Sequence, residues 1–313
     1  MIDVKNLTKI FPGTVAVDDV SFGVERGEVL GFLGPNGAGK TTTMRILTGF
    51  IPPTAGSVSV NNMDVVRQSM EVRRLVGYLP ESNPLYTEMR VGEYLTYRAK
   101  LKRVPAGARS QRVSDAVSRC GLADVKRRVI GQLSKGFRQR VGLADAIVHD
   151  PEIIVLDEPT IGLDPNQVRQ VRELIRELGE KRTVILSTHI LPEVELICRR
   201  VVIISRGKIA AVGTPEEIAG RLHITNKVRA EIGGDSAAIR RELEKVEGVT
   251  AVSATERNGG GLFQIESATG VDVRERIYQA CVRNGWPLRE LAFERRSLED
   301  AFVELTHGEK ETK

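Results

Sequence analysis

Short apolar runs alternate with amphipathic segments along the first 220 residues of the chain. A strand in a parallel sheet is covered on both faces, so a continuous apolar run of this length is typical of one. The intervening segments are long enough to form crossover helices. The pattern therefore predicts an α/β fold with a mainly parallel sheet flanked by helices. Its predicted strands are 29–33, 75–79, 153–156, 184–187 and 201–204.

Two further patterns modify this α/β core. Residues 2–11 and 15–24 alternate apolar and polar positions, which predicts antiparallel strands and a β-rich lobe before the first buried strand. Between about residues 88 and 150 the strand pattern disappears and helical periodicity replaces it. We interpret this stretch as a helical subdomain with predicted helices at 91–102, 108–120 and 135–149.

A second series of strands and helices begins after residue 225. The Asn258-Gly259 pair lies between two alternating runs and predicts a hairpin turn. We therefore expect a large domain over residues 1–222, a small accessory α+β domain over 225–306 and a charged tail over 307–313. The accessory elements are predicted as strands at 227–232, 249–254, 262–266 and 288–293 and helices at 236–246, 271–284 and 298–305.

Composition narrows the class of protein. The chain has 313 residues and no window approaching the eighteen uninterrupted apolar residues of a membrane-spanning helix. Cys120, Cys198 and Cys281 are far apart and form no C-x-x-C pair, so neither a disulfide framework nor a zinc site is indicated. These features predict a cytoplasmic protein.

The positive charge is concentrated in one segment. The formal net charge is +5, but residues 88–140 contain fourteen lysines and arginines against four carboxylates. Such a segment is compatible with a nucleic-acid surface, with an anionic membrane face or acidic partner loop, or with solvated helix faces. Charge alone leaves these three interpretations open.

A glycine-rich stretch after the first buried strand is the strongest chemical signal. It fits the pattern G-x-x-x-x-G-K-S/T and precedes a helix-like segment at 41–47, whose free N–H groups and positive dipole end favour a polyphosphate. Lys40 is expected to reach the β and γ phosphates, and the Thr41 hydroxyl to ligate Mg²⁺. The predicted nucleotide-binding residues of this stretch are Gly34, Pro35, Asn36, Gly37, Ala38, Gly39, Lys40, Thr41 and Thr42.

Two carboxylates follow the predicted strand at 153–156. Asp157 is placed to support Mg²⁺, directly or through water. Glu158 points the other way along an extended backbone and is placed to orient or deprotonate a water that attacks the γ-phosphate. A separate segment contains Ser134 directly before a helical pattern, where its hydroxyl can cap the helix and the free N–H groups can bind a phosphate oxygen.

The order of these motifs resembles that of the ATP-binding cassette (ABC) ATPases over about residues 2–220. The order is the glycine-rich stretch, Leu133-Ser134-Lys135-Gly136, the strand with Asp157-Glu158, then Gly162-Leu163-Asp164-Pro165 and Ser187-Thr188-His189. The resemblance implies a P-loop ABC cassette fold, with ATP and Mg²⁺ as cofactors. It also implies that two cassettes pair head to tail.

In such a pair, Ser134 and Gly136 act on the nucleotide held by the other copy. The resemblance further implies that Asp164 lies at the dimer interface and that His189 contacts the γ-phosphate and positions Glu158. Phe11 matches the aromatic residue that stacks on adenine.

Two departures from the family pattern suggest a subclass. Glu81 stands where the family usually has a glutamine that touches Mg²⁺, and Lys135 and Phe137 replace Gly and Gln of the usual Leu-Ser-Gly-Gly-Gln. Both resemble cassettes of ABC-2 type exporters. Residues 297–306 resemble the ending of many such ATPases, and residues 190–195 are similar to the gliding-motility branch.

The resemblance thus implies the ATPase subunit of an ABC-2 exporter. It would work with a second cassette as a homodimer and with a polytopic permease, peripheral on the inner face of the cell membrane, with no nucleic acid expected. The alternative is a soluble ABC ATPase that acts on ribosomes or nucleic acid. Ribosome-acting cassettes usually carry two cassettes in one chain and DNA-repair cassettes a long coiled coil, and the sequence has neither pattern.

Overall fold

The computed structural model describes residues 1–221, 226–257, 259–268 and 271–294, together with a few positions between 299 and 306. These residues form two compact units, 1–215 and 216–301, and the described positions after 301 group with the first unit. Asn258 of the predicted turn lies outside the described residues. So do the predicted tail at 307–313 and most of the segment that carries the predicted last helix and the exporter-like ending.

The first unit contains a β-rich lobe, a mostly parallel sheet and a group of helices. Its elements in chain order are β1 (Ile2–Phe11), β2 (Thr14–Val24), β3 (Val29–Leu33), α1 (Lys40–Leu47), β4 (Ala55–Val60), β5 (Met63–Asp64), α2 (Ser69–Leu75), β6 (Val76–Leu79), α3 (Val91–Leu101), α4 (Ala106–Arg119), α5 (Lys135–Ile147), β7 (Ile153–Asp157), α6 (Pro165–Gly179), β8 (Thr183–Thr188), α7 (Leu191–Ile197), β9 (Arg200–Ser205), β10 (Lys208–Gly213) and α8 (Pro215–Arg221), which continues past residue 215.

The predicted parallel core is confirmed. The central sheet has the strand order β10-β9-β3-β8-β7-β6, with parallel pairs from β9 to β6 and an antiparallel β10 at one edge. Every residue of β3 and β7 is buried, as their continuous apolar sequences require. One boundary was wrong: Leu75 ends the preceding helix α2, and the strand begins at Val76.

The predicted antiparallel lobe is also present. Strands β1 and β2 pair antiparallel, and β4 and β5 extend their sheet to the order β2-β1-β4-β5. The apolar side chains of this lobe share a core cluster with β3 and α1, including Val4, Val20, Phe32 and Met44. The lobe is therefore packed directly against the element pair that forms the glycine-rich loop.

The helical segment contains α3, α4 and α5, which pack against one another. Some of its positively charged side chains form ion pairs within the fold. Asp145 on α5 accepts from Arg98 Nε at 2.9 Å and lies 3.1 Å from Lys102 Nζ. Burial alone would raise the pKa of the Asp145 carboxyl, but Lys102 and Arg98 outweigh it and hold that pKa below its ordinary value.

The second unit is a small α+β fold with the predicted order of elements. Both helices contribute to one core with the sheet, which contains Val228, Ile239, Phe263 and Ile277. The strands are all antiparallel in the order β12-β13-β11-β14. The elements are β11 (Asn226–Gly233), α9 (Ser236–Leu243), β12 (Val249–Arg257), β13 (Gly260–Ser267), α10 (Arg274–Asn284) and β14 (Leu288–Glu294).

The three cysteines are buried and free. Burial raises the pKa of the Cys120 and Cys198 thiols to about 12, so both remain protonated at neutral pH and pack as small apolar side chains. Across the part of the chain that the structure describes, no helix combines the length and the hydropathy needed to cross a bilayer.

Candidate active site

A cleft of about 420 Å³ lies where the loops after β3, β6, β7 and β8 meet. Ligands bind at the carboxyl ends of strands in open α/β sheets, and this cleft follows that rule. The cleft contains residues of the glycine-rich loop together with Glu81 after β6, Glu158 after β7 and His189 after β8. The lining residues are Thr14, Ala16, Asn36, Gly37, Gly39, Lys40, Thr41, Thr42, Glu81, Glu158, Ile161 and His189.

The glycine-rich loop connects β3 to α1 and needs glycine at two positions. A Cβ at Gly34 would overlap the carbonyl oxygen of Ile204, and one at Gly39 would overlap that of Ala16. Gly39 also has a φ of 108°, which other residues rarely adopt. Pro35 and Ala38 also belong to the loop, and the side chain of Ala38 is buried. These close contacts fix the backbone of the loop, and α1 begins directly after it.

Lys40 is the first residue of α1 and is only 6% exposed. Its Nζ donates to the carbonyl oxygens of Gly34 at 2.8 Å and Pro35 at 3.2 Å, and it lies 3.5 Å from Glu158 Oε1. A buried ammonium that lines the cleft is placed to bind an anion there. The lysine of the glycine-rich loop is thus paired directly with Glu158, the carboxylate that follows β7.

Two buried carboxylate oxygens at the end of β7 accept no hydrogen bond from the described residues, although one of them, Glu158 Oε1, forms the ion pair with Lys40. They are Asp157 Oδ2 and Glu158 Oε1. Asp157 Oδ2 is the oxygen for which burial is costly unless a ligand completes its coordination. With the hydroxyl of Thr41 and the carboxylate of Glu81 in the same cleft, the donors are the hard oxygens that Mg²⁺ prefers. The donor chemistry of Thr41, Glu81 and Asp157 thus fits a magnesium ion held jointly with nucleotide oxygens, while among the described residues no three acidic, histidine or cysteine side chains cluster to hold a metal by themselves.

Glu158 is held in an unusual backbone conformation. Its φ is 50°, in the left-handed region that is uncommon for a residue with a side chain. Its N–H donates to Ser187 O at 3.0 Å, which ties the end of β7 to β8. Ser187 Oγ also donates to Asp157 Oδ1. The sequence did not predict Ser187 as a site residue, because its hydrogen bonds join two strands that are distant in the chain.

His189 is the partner of Glu158 across the cleft. Its Nδ1 lies 2.9 Å from Glu158 Oε2. An ionised carboxylate only accepts hydrogen bonds, so Nδ1 carries the proton in this pair and Nε2 remains for another contact. The pair is asymmetric, with the glutamate side chain 5% exposed and the histidine side chain 41% exposed. This arrangement fixes the carboxylate while leaving the imidazole accessible to a ligand.

A second group of predicted residues lies elsewhere in the chain. Ser134 caps α5 and accepts from Phe137 N at 3.4 Å, and Asp164 caps α6 and accepts from Gln167 N at 3.0 Å. A Cβ at Gly136 would overlap the Gln167 side chain, so the two helix starts are in contact. None of Ser134, Gly136 and Asp164 is among the described residues that line the cleft.

Phe11 lies at the end of β1 and is 40% exposed. It is therefore not a core residue, and the ammonium of Lys9 lies 5.1 Å from the centre of its ring. The same hairpin contributes Thr14 and Ala16 to the cleft. The adenine-stacking role of Phe11 stays a prediction.

Comparison with known proteins identifies the family. A family model for ABC transporters matches residues 17–161. The ATP-binding protein YxlF of Bacillus subtilis, described as an uncharacterized ABC transporter protein, is 30% identical over 311 residues, covering 98% of this chain and all of the relative. The chain is an ABC transporter ATP-binding protein. This ABC ATPase binds ATP and hydrolyses it, and the predicted cassette fold is confirmed.

Two further likenesses extend this result. The bacitracin transport ATP-binding protein BcrA of Bacillus licheniformis is 31% identical over 310 residues, with 98% of each chain covered. Among solved structures, the dimeric structure of the bacterial ABC transporter cassette MJ0796 is 25% identical with a TM-score of 0.64, covering 68% of this chain and 98% of that one. The structural likeness thus accounts for about the length of one cassette.

Proposed function

We propose that this ABC ATPase powers an ABC-2 type exporter. Two copies close head to tail on two Mg-ATP, and closure moves a separately encoded permease. The observation that carries the proposal is the division of the site: the cleft holds Lys40, Glu158 and His189, while the capped helix start at Ser134 lies outside it. The cleft of one copy, completed by the Ser134 helix start of another copy, gives one site for a triphosphate.

The residues of the cleft take distinct roles in this proposal. Lys40 and the loop N–H groups bind the β and γ phosphates, and Phe11 stacks on the adenine. Thr41, Glu81 and Asp157 would hold Mg²⁺, which supplies charge neutralisation at the phosphate oxygens. Glu158 accepts the proton of the attacking water, and His189 holds that carboxylate through the Nδ1 contact at 2.9 Å.

Two further observations support the pairing of two copies. Ser134 is exposed, and its helix α5 has no acidic residue in its first turn to offset the positive end of the dipole. The solved structure of the related cassette MJ0796 is dimeric. In the proposed dimer, Ser134 and Gly136 meet the γ-phosphate held by the partner copy, and Asp164 lies at the interface between them.

The exporter subclass rests on Glu81 and Lys135, the two departures from the usual motifs, and on the full-length likeness to a bacitracin transport protein. Glu81 lines the cleft, so its carboxylate is placed where the metal contact requires an oxygen. Action on ribosomes or nucleic acid is not favoured, because several cations of the basic helical segment are paired within the fold.

The partner is tested by recovering the tagged chain from detergent-solubilised membranes of its native cells. We expect a polytopic membrane protein to co-purify with it in the presence of ATP and Mg²⁺, and to remain bound when the salt concentration is raised from 50 to about 200 mM. The contact with a permease involves packed surfaces, whereas non-specific nucleic-acid binding falls by about 10³- to 10⁵-fold over such a change when several phosphates are contacted.

Recovery of ribosomes or DNA that disappears at the higher salt, without a membrane protein, would refute the exporter proposal. The same recovery with a Lys126→Ser/Arg127→Ser/Arg128→Ser variant provides the control, since it removes an exposed basic run that does not line the cleft. Loss of the nucleic acid but not of ATP turnover would assign the basic segment to that contact.

A further inference from the structure

One buried carboxylate near the cleft has no role in the proposed mechanism. Glu193 is the third residue of α7 and is 2% exposed, although acidic residues are rarely buried without a specific partner. Its position follows the loop that carries His189. The burial therefore needs an explanation in terms of what its side chain contacts.

A single oxygen of Glu193 receives two hydroxyl hydrogen bonds. Thr160 Oγ1 donates to Oε2 at 3.0 Å, and Thr188 Oγ1 donates to the same atom at 3.3 Å. Both threonines are buried. Thr160 lies two residues after Glu158, and Thr188 directly precedes His189. The carboxylate thus joins the loop of the proposed base to the loop of the histidine.

The histidine loop is fixed further through the same threonine. Ile190 N donates to Thr188 Oγ1 at 3.1 Å while that hydroxyl donates to Glu193. The two residues that flank His189 are therefore connected by one hydroxyl, and hydrogen bonds in such a chain polarise one another. This arrangement limits the backbone freedom of His189 at the point where its ring meets Glu158.

The other loop needs support because of its backbone. Glu158 adopts a left-handed φ of 50°, a conformation that persists only where the surroundings hold it. The Ser187 contacts hold Glu158 to β8, and the contact of Thr160 with Glu193 holds the loop that follows it. A small change in either loop alters the 2.9 Å contact between His189 Nδ1 and Glu158 Oε2.

We propose that Glu193 is a positioning residue for ATP hydrolysis, whose Oε2 joins Thr160 and Thr188 and thereby sets the geometry of Glu158 against His189. This inference rests on the proposed roles of Glu158 and His189. Glu193 touches neither the nucleotide nor the attacking water, and it acts on catalysis through the two loops alone. Its removal is expected to affect turnover much more than nucleotide binding.

Burial raises the pKa of the Glu193 carboxyl above its ordinary value, more than its two hydroxyl donors and the charge of Arg172 lower it. Its Oε1 has no hydrogen-bond partner among the described residues. Both threonine hydroxyls donate to Oε2, so an acceptor oxygen at that place is what the two contacts require. Glutamine at this position retains such an oxygen and is the informative conservative variant.

The test compares the ATPase kinetics of Glu193→Ala, Glu193→Gln and the control Glu195→Ala, which changes an exposed residue of the same helix. For Glu193→Ala we expect kcat to fall about ten- to a hundredfold with the KM for ATP changed less than about twofold, because misplacement of reacting groups acts on turnover. We expect Glu193→Gln to remain within about threefold of wild type. Thr160→Val and Thr188→Val, which keep the side-chain shape, should each reproduce part of the loss and serve if Glu193→Ala does not fold.

A double variant shows whether the effect passes through the histidine. Adding Glu193→Ala to His189→Ala should lower kcat no further than His189→Ala alone, since coupled residues are non-additive. Additive losses, or wild-type kcat in Glu193→Ala and both threonine variants, would overturn the positioning role. Glu158→Gln is measured in parallel: if it also keeps its turnover, the proposed catalytic roles fail, whereas its collapse beside an unaffected Glu193→Ala rejects the positioning role alone.

Discussion

Replacing Glu158 by glutamine is expected to lower ATP turnover by about 10²- to 10⁴-fold, the usual contribution of a general base. Glutamine has nearly the same shape and still accepts a hydrogen bond from His189, but it cannot take a proton from water. The nucleotide contacts come from other residues, so ATP binding should remain. Steady-state turnover and equilibrium ATP binding, measured on the same preparation, separate these two effects.

The same variant should accumulate a closed dimer in ATP and Mg²⁺, because closure precedes hydrolysis and only hydrolysis reopens the pair. Size-exclusion chromatography with light scattering detects that species. Glu173→Gln, which changes an exposed carboxylate on α6, is the matched control and should behave as wild type. Turnover near wild type in Glu158→Gln would remove this residue from the role of base.

Lys40→Met is expected to weaken ATP binding by about 10- to 100-fold, as the loss of hydrogen bonds to a charged group predicts. Methionine keeps the apolar stem of this buried side chain and loses the ammonium that lies between the loop carbonyls and Glu158. Binding is measured by calorimetry in the presence of Mg²⁺. An unchanged affinity would mean that the phosphates do not lie against Lys40.

The matched control for this experiment is Lys208→Met, which removes an ammonium from an exposed position on β10. Its ATP affinity should equal that of wild type, since an exposed ion pair contributes little and neither Lys208 nor its partner Asp18 is among the residues that line the cleft. Comparable losses in both lysine variants would indicate a general effect of net charge rather than a specific phosphate contact.

Most of the parallel sheet could be predicted because its strands are buried on both faces and therefore have continuous apolar sequences. The short strands β4 and β5 lacked such a signal. Four of the six residues of Ala55–Val60 are glycine, serine or alanine, and the pairing of this strand with β1 depends on residues about fifty positions earlier in the chain. Local patterns hold no information on such a partner.

The same difference between local patterns and long-range contacts applies to the candidate site. Lys40, Glu158 and His189 belong to motifs with strict local spacing, and the structure places them in one cleft. Ser187 and Glu193 were missed because their importance comes from hydrogen bonds to the loop after β7, about thirty residues away in the chain. Glu193 in particular follows a proline in the first turn of a short helix, and nothing in that local sequence distinguishes it from a solvent-exposed acidic residue.

The central claim is that the cleft of one copy is completed by the Ser134 helix start of another. It is tested most directly by mixing Lys40→Met with Ser134→Arg, each nearly inactive alone. In mixed dimers, the intact cleft of the Ser134→Arg chain meets the intact helix start of the Lys40→Met chain. The mixture should therefore recover turnover, up to about a quarter of the wild-type value if the two sites of a dimer act independently. A mixture no more active than the sum of its parts, or a Ser134→Arg chain that alone hydrolyses ATP as wild type does, would contradict the shared site.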